Sequence, residues 1–189
     1  MKKKAFAALI LGMAVLLAAC GNNDSTSSSG ARFNDQDVTL VQGMIPHHRQ
    51  AVEMAELADR QATDPQVKDL AATIRAAQDP EIKEMEGWLK DWGKPAADDE
   101  MSGMDHGSDG GDSMAGMMSD DDMKSLENAS GTGFDTMFLT MMIRHHQGAI
   151  TMAEDEVADG KNTEAVALAK AIIVAQTEEI ATMKDLLKQ

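Results

Sequence analysis

Met44-Ile45-Pro46-His47-His48-Arg49-Gln50-Ala51-Val52-Glu53-Met54-Ala55-Glu56 decides the fold, because it returns 98 residues later as Met142-Ile143-Arg144-His145-His146-Gln147-Gly148-Ala149-Ile150-Thr151-Met152-Ala153-Glu154. The same offset runs on through Leu70/Leu168, Ile74/Ile172, Ala77/Ala175, Gln78/Gln176, Glu81/Glu179, Ile82/Ile180, Met85/Met183 and Leu89/Leu187. Between residues 37–89 and 135–187, 18 of 53 positions are identical without a gap. A repeat of this length is one supersecondary unit used twice, and it organises every other reading of the chain.

Each unit reads as two helices. Val41, Met44, His48, Ala51, Val52 and Ala55 recur at helical spacing, a face that is apolar except for its histidine. Thr63-Asp64-Pro65 supplies a cap and then a proline at the first helical position. The helix that follows carries Val67, Leu70, Ile74, Ala77, Ile82, Met85 and Leu89, ends near Gly93, and has Pro80 inside it, which should kink or split it. The second unit predicts a helix from about Phe134 to Asp159, stopped by Gly160, and another from Thr163 to Leu187. No segment alternates with period two. Two amphipathic hairpins bury their apolar faces best against each other, so the expected fold is an all-α four-helix bundle with pseudo-twofold symmetry. Repeat one spans 33–93 and repeat two 131–189, joined by a long crossover linker, 94–130. In that linker Ser119-Asp120-Asp121-Asp122 has the pattern of a capping box opening a short helix through Leu126.

Outside the repeats the chain reads as a delivery system. Lys2, Lys3 and Lys4 precede an apolar stretch too short to span a bilayer, and Leu17-Ala18-Ala19-Cys20 resembles a lipoprotein cleavage site. Residues 1–19 are expected to be a signal peptide and Cys20 to carry lipid. Residues 20–32, rich in Ser, Asn and Gly, would be a tether from the membrane. The expected location is the bacterial cell envelope, outside the cytoplasmic membrane or in the periplasm. Cys20 is the sole cysteine, so no disulfide and no thiolate metal site can form within the fold. Loss of the three lysines takes the net charge from −15 to −18, which argues against nucleic acid as a partner. Self-association into a homo-oligomer is left open.

Four of the five histidines lie in the two His-His pairs. Neighbours on a helix point about 100° apart, so His48 and His146 should face inward while His47 and His145 lie toward the edge, and the repeat could bring all four imidazoles together between the first and third helices of the bundle. Imidazole is a nitrogen donor suited to copper, zinc, iron or nickel, and a thioether selects Cu(I). Met44 and Met54, with Met142 and Met152, stand one turn before and two turns after each pair. The pairs are candidate metal sites, copper foremost, Cu(I) favoured and Cu(II) admissible; the competing reading is a buried hydrogen-bonded network. Glu56 and Glu154, and Glu81 and Glu179, are candidates for orienting an imidazole and are equally explicable as surface residues. The linker adds Met101, Met104, His106, Met114, Met117 and Met118 among Gly, Ser and Asp, where core packing is not expected to account for them. Such a segment can wrap a soft monovalent ion, and the bland alternative is an acidic spacer.

The blocks around the two His-His pairs, with the Ala-Gln-x-x-Glu-Ile tracts from Ala77 and Ala175, resemble the family named domain of unknown function 305 over about residues 33–187. That resemblance implies a ferritin-like fold. Some members, the CopM-like proteins, are periplasmic copper binders, which would make His47, His48, His145 and His146 ligands together with Met44, Met54, Met142 and Met152. A ferritin-like di-metal oxidase is the rival. It would need Glu three residues before a histidine, and those positions hold Met44, Ile45, Gly103, Met142 and Ile143. No phosphate loop, nucleophile elbow or His-Glu-x-x-His is present, so no catalytic residue is assigned and binding is favoured over enzymatic activity. A structural or signalling bundle without metal is the third reading.

Overall fold

A computed structural model describes residues 32–95 and 115–189. The signal stretch, Cys20, most of the tether, Met101, Met104, His106 and Met114 lie outside the described residues. Among the described residues there are five helices and no strand. They are α1 (Asp35–Gln61), α2 (Pro65–Trp92), α3 (Asp120–Asn128), α4 (Gly131–Asp159) and α5 (Thr163–Leu186).

Local chemistry sets the ends. Asn34 accepts from the Asp37 N–H and Asp37 returns the bond to the Asn34 N–H, a reciprocal capping box. Ser119 and Asp122 repeat that device at α3, where the sequence expected it. Asp64 caps α2 ahead of Pro65, and Gly93 ends it in the left-handed conformation at φ 64°. Of the kink or split expected at Pro80 there is no split: α2 is one uninterrupted helix through it. Pro80 and Ala76 both lie on the exposed face, so the carbonyl that loses its N–H partner is open to water. Pro46 sits inside α1 in the same way. α4 begins at Gly131, three residues before the expected Phe134, because Gly131 and Thr132 need no apolar face to join a helix already anchored by Phe134 and Phe138.

α1 packs along α2, α4 along α5, and the two hairpins join through α1 and α4. The apolar core falls into two halves. One holds Met54, Leu57, Val67, Leu70 and Ile74 with Phe134, Phe138, Leu139, Met142 and Met183. The other holds Leu40, Val41, Met44 and Ile45 with Met85, Trp88, Ala149, Ala153, Ala169 and Ile172. The second half of α1 thus meets the first half of α4 and the reverse, so these helices run antiparallel about a pseudo-twofold axis. Each fully buried Leu, Ile, Met or Phe contributes roughly 1.5–3 kcal/mol.

Met118 and Met123 belong to the first core half, at 5% and 9% exposure. The sequence expectation that packing would not account for linker methionines therefore fails for Met118, and Met123 of the expected short helix is buried with it. α3 lies on the bundle, and its apolar side chains extend the core where composition alone suggested only solvent.

The same twofold governs the hairpin turns. Buried Asp37 accepts from the backbone N–H groups of Lys161 and Asn162 in the opposite repeat's turn (3.0 and 2.8 Å). Its mate Asp135 accepts from Thr63 N–H, Asp64 N–H and the Thr63 hydroxyl (3.0, 3.1 and 2.6 Å). Each repeat satisfies the donors of the other's turn, so neither hairpin is complete alone.

Candidate metal centre

Where the two core halves meet, the bundle is polar. His47, His48, His145 and His146 are each 0% exposed, and Gln78 and Gln176 are buried as well. The His47 and His145 rings stand 3.8 Å apart between centroids across the α1/α4 contact, tilted by 41°. His47 and His145 are therefore at the centre of the layer, not at the edge where helical phasing alone put them. The reason is that α1 packs against α2 on one flank and α4 on another, so a wider arc of the helix is buried than one stripe.

His48 and His146 turn toward the outer helix of their own hairpin. His48 Nε2 lies 2.8 Å from Glu81 Oε2, and His146 Nε2 lies 2.7 Å from Glu179 Oε2. Glu56 and Glu154 are exposed and take no part in the layer. The helical repeat could not choose between these two acid pairs, because the choice depends on which residues the neighbouring helix brings opposite.

These partners fix tautomers. A carboxylate oxygen only accepts, so His48 and His146 donate from Nε2, and a lone pair on either ring can only be on Nδ1. His47 Nε2 lies 3.1 Å from the Ala115 carbonyl, which likewise only accepts. Its lone pair is also on Nδ1. Burial drives His47 down to about 3, against the Ala115 hydrogen bond that raises it. His145 is held well below the ordinary histidine value by burial and then by the neighbouring His47. Both rings are neutral at physiological pH and able to donate a lone pair.

Five imidazole nitrogens in this layer have no hydrogen-bond partner: Nδ1 of all four histidines and Nε2 of His145. A buried polar atom without a partner costs about 1–3 kcal/mol, so the layer is an expensive way merely to pack. Among the described residues no three His, Cys, Asp or Glu side chains form a ready-made cation cage. The available donors are imidazoles in pairs, with the buried thioethers of Met44, Met54 and Met142 in the core halves on either side and Met152 partly buried. Nitrogen and thioether donors in apolar surroundings fit copper better than a hard cation. Glu81 and Glu179, each bonded to the far nitrogen of an imidazole, are placed to orient the ring and raise its basicity.

The linker returns across this layer. Ala115 and Gly116 lie directly on α4 at Gly148, where a Cβ would collide with the Ala115 carbonyl. Gly116, at φ 82°, approaches so closely that a Cβ there would meet Arg144 O at 2.6 Å. Gln50 clasps Met118 by both backbone groups, donating to its carbonyl (2.9 Å) and accepting from its N–H (2.7 Å). Arg144 reaches Met118 Sδ at 2.9 Å and Asp122 at 2.7 Å. Sequence reasoning missed Gln50 and Gly148. A glycine inside an amphipathic helix was the signal available, since it often marks a close backbone approach.

A four-helix bundle of two hairpin repeats with a buried imidazole layer defines a class of histidine-centred helical bundles. Residues 37–187 match the family described as domain of unknown function (DUF305), and the chain belongs to that family. It is similar to a DUF305 protein assigned as secreted, from Streptomyces coelicolor, at 32% identity and TM-score 0.71 over 81% of this chain and 91% of that one. A DUF305 fragment from Deinococcus radiodurans gives 31% and 0.69 over 82% and 97%. CopM in its Cu(II)-bound form gives 34% and 0.68 over 80% and 95%. CopM has also been solved with Cu(I) and with Ag. Among curated proteins, uncharacterized protein L153 of Acanthamoeba polyphaga mimivirus is 40% identical over 53 residues, which are 28% of this chain and 35% of that protein's length.

Proposed function

We propose that this protein binds copper in the bacterial cell envelope, holding Cu(I), and secondarily Cu(II), for sequestration or buffering. Export by residues 1–19 and a lipid on Cys20 would tether it to the membrane, with 20–32 as the spacer. The ligands are drawn from His47, His48, His145 and His146 through Nδ1, with Met44, Met54, Met142 and Met152 as thioether donors. Met101, Met104, His106, Met114 and Met117 of the linker would capture the ion first. The observation that carries this reading is the set of five partnerless imidazole nitrogens buried between two apolar halves. The likeness to CopM, solved with copper and silver, supports it. Nothing in the layer favours the oxidase, because the acids near the histidines, Glu81 and Glu179, are engaged with Nε2 and stand behind the rings.

The test is titration of residues 31–189 with Cu(I), Cu(II), Ag(I) and Zn(II). It includes a variant with all four paired histidines changed to alanine and one lacking residues 101–114. Copper held far more tightly than by free histidine, and lost with the four imidazoles, is the expected result. Binding no tighter than free histidine would overturn the proposal. Binding lost only with the linker deletion would make the histidine layer structural.

A further inference from the structure

The four histidine rings are each 0% exposed, so an ion reaches them only if something moves. Three of its walls are helices α1, α2 and α5 with α4 closing the fourth, and their hydrogen-bond ladders resist local opening. One covering piece is not helical. Ala115–Met118 lies across the α1/α4 seam, and its Ala115 carbonyl takes the Nε2 proton of His47. Gln50 and Gly148, which are equivalent under the 98-residue repeat, both touch this piece, so it crosses the pseudo-twofold axis above the His47/His145 pair. Beside it is a surface groove of about 360 Å³ lined by Gly116, Met117, Met118, Ser119, Asp122 and Arg144.

We infer that Ala115–Met118 is a removable cover over the histidine layer, and that its lifting limits the passage of a soft monovalent cation to His47 and His145. This inference rests on the copper reading for its ligand but not for its motion. Two kinds of contact hold the cover: at Met118 the Gln50 amide, Arg144 on Sδ and the packing of its side chain in the core, and over the layer the close approach of Gly116 to Gly148 and the Ala115 carbonyl on His47. Lifting Ala115 and Gly116 frees His47 Nε2 and opens the seam without breaking a helix. Met117, half-buried in the groove, is the thioether that an incoming ion meets beside the cover.

Two variants loosen the cover from opposite sides. Gly148→Ala places a methyl group where the Ala115 carbonyl sits, and Gln50→Ala removes the two-bond clasp on Met118. Ile172→Val, in the core half away from the cover, is the control for general loosening of the bundle. The first readout needs no metal: carbethoxylation of His47 by diethyl pyrocarbonate, followed by peptide mass spectrometry. Losing two hydrogen bonds should raise the open fraction, and with it the rate of His47 modification, about ten- to thirtyfold in Gln50→Ala, with Ile172→Val changing it by less than about threefold. The second readout is the rate of Ag(I) uptake by stopped flow, expected to rise in parallel.

Unchanged His47 modification in both cover variants would overturn the inference, whatever the metal data. Faster modification with unchanged silver uptake would overturn it too, because the ion would then use another route. Faster modification in a protein that binds no silver in any form would leave the cover standing and overturn the metal reading.

Discussion

The two repeats agree in the buried layer and part company where a single connecting segment must cross the axis. His47/His145, His48/His146, Gln78/Gln176, Glu81/Glu179 and Asp37/Asp135 are identical in kind; the His48–Glu81 and His146–Glu179 pairs match, while His47 Nε2 bonds to the Ala115 carbonyl and His145 Nε2 has no partner. Pro46/Arg144 and Gln50/Gly148 are not alike, and three of these four residues touch the linker's return. A segment on a twofold axis has only one direction, so it cannot present the same surface to both repeats. Divergence there is a geometric necessity. A further break lies at Ala58/Glu156, where repeat two buries a second carboxyl against Asp37. Gly160 makes room for it, since a Cβ at that position would strike the Glu156 carboxyl.

The largest expected asymmetry comes from the turn acids. Asp135→Ala strips partners from two backbone N–H groups and a hydroxyl at the turn and should destabilise the fold by about 2–4 kcal/mol in denaturant unfolding. Asp37→Ala removes the same kind of support but also relieves a carboxyl pair. It should cost at least about 1 kcal/mol less than Asp135→Ala. Equal losses would show that the Glu156 contact has no energetic consequence.

A test of the symmetric part comes next in size. Glu81→Gln and Glu179→Gln should each weaken copper binding by about ten- to a hundredfold, and by similar factors, because each acid orients one equivalent imidazole. Isothermal or competition titration reads both. A loss confined to one variant would break the twofold equivalence of the two sites.

Stability against pH separates the repeats more gently. As two carboxylates Asp37 and Glu156 could not bond to each other, whereas one proton between them satisfies both. Burial, and then Asp37, raises Glu156 to about 8. Burial works against ionisation of Asp37 as well, but its bonds with Glu156 and the backbone N–H groups of Asn34, Asn162 and Lys161 win and lower it. The folded chain therefore keeps a Glu156 proton that the unfolded chain releases above about 4.5, so this contribution to stability is lost as pH rises toward 8. His47 acts in the opposite sense: lowered to about 3, it costs stability below its unfolded value of 6.5 and nothing above it. The metal-free protein should melt highest near pH 6–7, and Glu156→Gln should flatten the fall between about 6.5 and 8. A fall that persists in Glu156→Gln would assign it to other groups.

The smallest effect is expected at the surface end of the cover. Arg144→Lys keeps the charge but loses the planar fork that serves Met118 and Asp122 together, and should lower stability by less than about 1 kcal/mol. A larger drop would mean that Arg144 holds α3 on the bundle nearly alone.

The sequence by itself determined the duplication, the helical hairpins, their caps at Asp64, Ser119 and Gly93, and the presence of histidine at the buried face. Those features are local or repeat at a fixed offset, so pattern and propensity suffice to read them. The repeat already allowed the four imidazoles to converge; only the tertiary structure decided that His47 and His145 are the pair that meets at the centre, and that Glu81 and Glu179 rather than Glu56 and Glu154 stand behind the outer rings. It alone showed Met118 as core and Gln50 and Gly148 as the seat of the linker. Each of these depends on which residues two separately encoded helices bring opposite one another. A helical period fixes direction around one axis, but it carries no information about the neighbour on the other side of the contact.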